Sequence, residues 1–216
     1  GFTGERLLYG LYSADRPRFA PVAAQRHLLD NAAWPHRFLF AGRLAPEKGI
    51  ADLVTAYSTY RLSVAAPWEL LVAGTGGLEH MVSGVEGITP VGFVQPEDYP
   101  ALLAQAGIFV LPSHYDPWPL VIHEMTSAGL PILCSRQCGS SVELVQDGLN
   151  GHTFEAGDVD GLTRLLTYMA SGEVDLACMS RHSVSLAGRY SPEQWAAYLV
   201  GHLRRFARSG SRGKHS

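Results

Sequence analysis

Lysine is the scarcest charged residue in the chain: only Lys48 and Lys214 stand among its seventeen basic residues. Cysteine is almost as rare, since Cys134, Cys138 and Cys178 are an odd number spread over 216 residues. They form no disulfide framework and fit a reducing compartment, so a cytoplasmic protein is expected. Cys134 and Cys138 are spaced closely enough for half a metal site, but no second pair follows, and Cys134 closes the apolar run Pro131-Ile132-Leu133 as a core strand residue would. No metal site is expected. Long apolar runs are missing too. None approaches the roughly 18 residues that a membrane span needs, and no basic-then-apolar leader opens the sequence. A surplus of positive charge is likewise absent. The formal net charge is -3 and the isoelectric point is near 6.3, which argues against the broad cationic surface of a nucleic-acid binder and leaves small molecules as the expected partners.

With 46% hydrophobic and 17% charged residues, the chain has the balance of one globular domain with a full core. Gly1-Phe2-Thr3-Gly4 reads as the interior of something longer, so an upstream segment is expected. From Arg37 onward, short apolar runs alternate with helical patterns, each junction marked by glycine or proline. The expected strands are 38–41, 69–73, 88–91, 108–111 and 132–134, with a weaker one at 152–154. The expected helices are 50–62, 78–83, 96–106, 120–128, 141–145 and 159–170. Such alternation predicts an α/β fold, a Rossmann-like parallel sheet with helices on both faces.

The two ends read differently. Residues 1–36 are expected to be a connector and the start of the domain, because Tyr9–Phe19 is rich in turn residues. Residues 37–188 form the Rossmann-like unit and 189–216 a final helix and tail. Ser191-Pro192-Glu193 supplies the cap, first-turn proline and acid of that helix. It carries Trp195, Tyr198, Leu199 and Phe206 on an apolar face and ends at Arg204, Arg205 and Arg208, before a basic tail expected to be disordered. That face needs a partner. The helix reads as a packed terminal element or, alternatively, as a peripheral contact with the inner face of a membrane, and its exposed face could promote self-association.

Ligands of open parallel sheets bind where strands end and helices begin, so the junctions are where chemistry is sought. In Ala41-Gly42-Arg43-Leu44, continuing to Glu47-Lys48-Gly49, two cations beside a helix start suit a diphosphate; an ion pair of Lys48 with Glu47 or Asp52 explains the same residues. Ala73-Gly74-Thr75-Gly76 lacks the spacing of the dinucleotide fingerprint, and its glycines allow either close approach to a ligand or a tight turn. In Ser113-His114-Tyr115-Asp116-Pro117-Trp118-Pro119-Leu120, Asp116 lies beside the start of a helix for which Pro119 is a suitable first residue, and Glu124 lies inside it. Carboxylates so placed can accept hydrogen bonds from the hydroxyls of a ligand; Asp116 as a helix cap and Glu124 as a solvated acid are the plainer readings. Gly139-Ser140-Ser141 is a further helix start, open either to an anion or to capping by Ser140. His114 and His123 are read as structural or ligand-lining before acid-base groups.

Taken together and in this order, these pieces resemble the C-terminal, donor-binding domain of GT-B-fold retaining glycosyltransferases, in particular the family 4 group (glycosyl transferases group 1). The resemblance runs from about Tyr9 to Leu199. It rests on Gly42-Arg43-Leu44 with Lys48-Gly49, on the glycine loop at Gly74 and Gly76, on Val91-Gly92-Phe93-Val94, and on Asp116 and Glu124 separated by seven residues. It implies that Arg43 and Lys48 hold the diphosphate of a UDP-, GDP- or ADP-sugar without a metal, and that Asp116 binds the sugar and Glu124 the ribose. Phe93 and Val94 would border the base, and the backbone of Trp118, Pro119 and Leu120 would face sugar and phosphate. It also implies an N-terminal acceptor-binding domain that these 216 residues do not contain. Two departures stand out: Asp116 is where the family more often has glutamate, and Pro119 removes a backbone donor. A sugar-nucleotide-binding module without catalysis is therefore the alternative expectation.

Overall fold

The computed structural model describes residues 14–211. Among these, the apolar runs become six strands: β1 (Arg37–Ala41), β2 (Glu69–Ala73), β3 (Ile88–Gly92), β4 (Ile108–Leu111), β5 (Ile132–Ser135) and β6 (Gly151–Phe154). They pair in parallel in the order β3-β2-β1-β4-β5-β6, with Leu39 opposite Leu71 and Phe38 opposite Ile108. Every residue of β4 and β5 is buried, as is β1 after Arg37, which is why these strands read as continuous apolar runs rather than alternating ones. β3 lies at an edge, where Pro90 forfeits an amide donor at little cost and only Ile88 is buried.

Helices cover both faces. On one, α2 (Ile50–Ser63) packs against α6 (Val159–Met169); α2 buries Ile50, Leu53, Ala56, Tyr57 and Tyr60, one helical stripe. On the other lie α1 (Arg16–Arg26), α3 (Tyr99–Gln105), α4 (Leu120–Ser127), α5 (Ser141–Leu144) and α7 (Leu176–Ala187). α1 falls inside the region that the sequence presents as a connector. Pro17 and Pro21 hide a helix whose Phe19, Val22, Ala23 and Arg26 are buried at helical spacing. α7 is a further helix that the apolar pattern does not announce, because Ser180 and Ser183 occupy its inner face; Ser183 Oγ donates to the Leu130 carbonyl at 2.7 Å. Conversely, 78–83 yields only a 3₁₀ turn at Glu79–Met81, and 96–106 splits into a 3₁₀ turn at Pro96–Asp98 followed by α3.

The last helix, α8 (Pro192–Ser211), starts as expected, with Ser191 Oγ accepting from the Gln194 amide at 3.2 Å. It continues to Ser211 rather than dissolving at Ser209. Trp195, Tyr198, Val200, Leu203 and Phe206 remain exposed along it. The rest of the expected tail, 212–216, and residues 1–13 of the expected connector lie outside the described residues. Among the described residues no helix is long and apolar enough to cross a membrane.

Candidate functional site: a cleft at the switch point of the sheet

The strand order places β2 and β3 on one side of β1 and β4 on the other. The loops that leave the carboxyl ends of β1 and β4 therefore diverge, and a crevice opens between them. Gly49 controls how closely those loops meet. It sits at φ 68°, and a Cβ there would lie 2.0 Å from the Pro112 carbonyl oxygen. The His114 amide donates to the Glu47 carbonyl at 2.8 Å, locking the contact. As a result Lys48 Nζ reaches Asp116 Oδ2 at 2.5 Å, with both side chains largely buried.

This pairing differs from the sequence-based alternative of a Lys48 bond to Glu47 or Asp52. Glu47 pairs instead with Arg43 at 2.6 Å, and Asp52 with His114 Nε2 at 2.6 Å. Asp116 does not cap a helix either. Its backbone joins the loop after β5, donating to the Gln137 carbonyl at 3.2 Å and accepting from the Gly139 amide at 2.9 Å. The residue preceding α4 is Pro119, which stands at the cap rather than inside the helix. Ser140 does not cap α5, because its hydroxyl donates to the Pro119 carbonyl at 3.0 Å. Asp116, the start of α4 and the start of α5 are thus tied into one framework.

The glycine loop after β2 serves its neighbour. Gly74, at φ 132°, lies so close to the loop after β1 that a Cβ would come within 1.9 Å of the Gly42 carbonyl oxygen, and the Leu44 amide donates to the Thr75 carbonyl at 2.9 Å. The two loops form a common floor.

That floor opens into a cleft of about 450 Å³. Its walls include Gly42, Arg43, Gly74, Phe93, Val94 and Glu124, six of the residues singled out from sequence. Thr75 of the same glycine loop also lines it, as do Arg18 of α1, Pro96 and Tyr99 of α3, and sequence reasoning did not single out these last three. The helical spacing of α1 was the available signal for Arg18, obscured by its prolines. Lys48, Asp116, Gly76, Trp118, Pro119 and Leu120 are not wall residues. Lys48 and Asp116 form the adjoining bridge, and the Gly76 amide donates to the Glu79 carboxylate at 2.8 Å. Trp118 is half-buried, Pro119 buried and Leu120 exposed.

Burial raises the Glu124 carboxyl above its usual range, and the positive charge of Arg18 opposes that rise, so Glu124 is not the freely solvated acid of the plainer reading. Burial, with the nearby Glu124 charge, pushes the Tyr99 phenol well above its ordinary value, so its hydroxyl stays protonated and can donate. His123 is 2% exposed; its Nδ1 accepts from the Ala14 amide at 3.1 Å, and burial lowers its pKa, which makes it a neutral structural residue. Cys134 lies within β5 in the core, as its apolar run implied. Among the described residues no three histidine, cysteine or acidic side chains come together as a metal site.

A Rossmann-like parallel sheet with helices on both faces is a fold found in GT-B glycosyltransferases, and comparison with known proteins agrees. The sequence model of the glycosyl transferases group 1 family matches residues 35–171, and the chain belongs to that family. It is 34% identical over 139 residues to the O-antigen chain mannosyltransferase B of Escherichia coli, covering 61% of this chain and 36% of that one. It is 32% identical over 165 residues to a glycogen synthase of Mycobacterium tuberculosis, covering 68% and 39%. Its backbone superposes on the crystal structure of Anabaena HepE in complex with UDP-glucose with a TM-score of 0.64 at 21% identity, over 88% of this chain and 54% of that one. The chain therefore spans about two-fifths of the length of these curated relatives.

Proposed function

We propose that this chain is the donor-binding half of a retaining glycosyltransferase that moves a sugar from a nucleoside diphosphate to a hydroxyl acceptor. The observation that carries the reading is the convergence of Arg43, Phe93 and Glu124 on one cleft, with the Lys48–Asp116 bridge adjoining it. Phe93 is 69% exposed and offers its ring to a base, while Glu124 accepts from ribose hydroxyls. Arg43 and Lys48 exchange their carboxylate partners for diphosphate oxygens, so that the leaving group is neutralised by the chain's own cations. Asp116, released from Lys48, accepts from hydroxyls of the sugar. The glycogen synthase and mannosyltransferase relatives and the UDP-glucose complex of the structural neighbour support a nucleotide-sugar donor. The acceptor is supplied by a second domain, consistent with the share of those relatives left unmatched.

Calorimetric titration with UDP, GDP and ADP tests the reading. One nucleotide should bind, and the double variant Arg43→Ala with Lys48→Ala should lose it. A folded chain that binds none of the three would overturn the proposal.

A further inference from the structure

Arg18 enters the cleft from a helix that the family match, residues 35–171, does not include. α1 holds it there through contacts at both ends of α3. Near the start of α3, Phe19 is buried and meets the Tyr99 ring edge-on, with centroids 6.4 Å apart. Near its end, Arg26 donates to the carbonyls of Leu103 and, at 2.6 Å, Ala106, with its guanidinium 5.3 Å from the centroid of the Trp34 ring. α1 also packs against α4, the helix of Glu124. α1 thus carries Arg18 to the cleft, with its guanidinium 5.9 Å from the centroid of the Phe19 ring and no bond to the acid it faces. The two form no direct ion pair, whereas Lys48 and Asp116 touch. That separation leaves the Glu124 oxygens open to hydroxyl donors while the guanidinium still favours the carboxylate form.

We propose that Arg18 is a positioning residue: it keeps Glu124 ionised inside an otherwise desolvating cleft and so sets the pH range over which a ribonucleotide binds. The inference rests on the donor-site reading above. The ionisable groups facing Glu124 across the cleft are Arg18 from α1, Tyr99 from α3 and Arg43 from the loop after β1. Its neighbour His123 is turned to the Ala14 amide. Tyr99 stays protonated, and Arg43 is drawn to Glu47 at 2.6 Å, which leaves Arg18 as the cation acting on Glu124.

The test titrates the chain with UDP, GDP and ADP from about pH 5 to about pH 9, because each unit by which the acid shifts changes binding about tenfold below its midpoint. Wild type, Arg18→Ala and Arg18→Lys are compared, and Arg18→Ala is repeated on a Glu124→Gln background. The wild-type affinity should fall on acidification. In Arg18→Ala the fall should begin at higher pH, Arg18→Lys should restore the wild-type profile, and on Glu124→Gln the Arg18→Ala change should leave the profile the same as that of Glu124→Gln alone. The carboxyl carbon-13 resonance of Glu124, followed without nucleotide, should likewise titrate at higher pH in Arg18→Ala. If wild type binds and both readouts are the same in Arg18→Ala, this inference alone falls. If wild type binds none of the three nucleotides, the donor-site reading falls and takes the inference with it.

Discussion

Lys48, on the loop after β1, and Asp116, on the loop after β4, meet at 2.5 Å across the crevice between the two central strands. Each is thereby held in place by a group that the proposed donor would displace. Asp116→Asn leaves the ammonium without its charge partner. Affinity for the bare nucleoside diphosphate should then rise several-fold at low salt, the extra affinity conferred by an attached sugar should vanish, and stability should fall by about 1–2 kcal/mol. Calorimetry with nucleotide and sugar nucleotide, beside urea unfolding, reads all three.

Gly49 allows that meeting. With φ at 68° and the Pro112 carbonyl oxygen 2.0 Å from where an alanine methyl would stand, Gly49→Ala must either strain the backbone or part the loops. It should destabilise the protein by about 2 kcal/mol or more and weaken nucleotide binding, whereas Gly84→Ala, with φ 73° but open space around it, should cost only the backbone strain of about 1 kcal/mol. Thermal unfolding of the two variants separates the contact from the conformation.

Phe93 is exposed on the cleft wall and contributes little to the core. Phe93→Ala should weaken binding of the preferred nucleotide by about tenfold, the scale of one base-aromatic contact, while leaving the unfolding midpoint within experimental error. Inorganic pyrophosphate, which has no base, should bind both forms alike.

His123 gives the fold a sensitivity to acid. Burial holds its folded-state pKa below the unfolded value of about 6.5, so the unfolded chain takes up a proton first as pH falls. The contribution is complete above the unfolded value and is lost on acidification, with a slope of at most about 1.4 kcal/mol per pH unit. Glu124 acts in the opposite direction, because its raised carboxyl is relieved by protonation. Urea unfolding between about pH 7 and about pH 5 should show wild type losing stability relative to His123→Gln, which cannot titrate.

The sheet was legible in the sequence because strands buried on both faces leave apolar runs bounded by glycine or proline, and β2 and β4 lie at the predicted residues. The same signal failed for α7, where the buried Ser180 and Ser183 interrupt the apolar stripe, and for α1, where two prolines imitate a turn. At the site, Arg43 and Glu124 could be found from the chemistry of the strand-helix junctions, and Phe93 from the resemblance to the family. The partner of Lys48 could not, because the geometry that joins it to Asp116 is set by a glycine 63 residues before Pro112 in the chain. Arg18 and Tyr99 reach the cleft only through the packing of α1 on α3, which no local pattern encodes.

The pairing of β1 with β4 joins Phe38 to Ile108, residues about seventy positions apart, before the crevice can exist. Loop closure of that length is slow compared with the formation of a helix or a neighbouring strand pair. During synthesis, β1, β2 and β3 can associate while β4 is still inside the ribosome, but Glu124, the cleft residue that α4 supplies, has not yet been placed. A donor bound as proposed would therefore stabilise the finished domain without guiding its early assembly, so nucleotide added during refolding should slow unfolding without hastening the first folding phase.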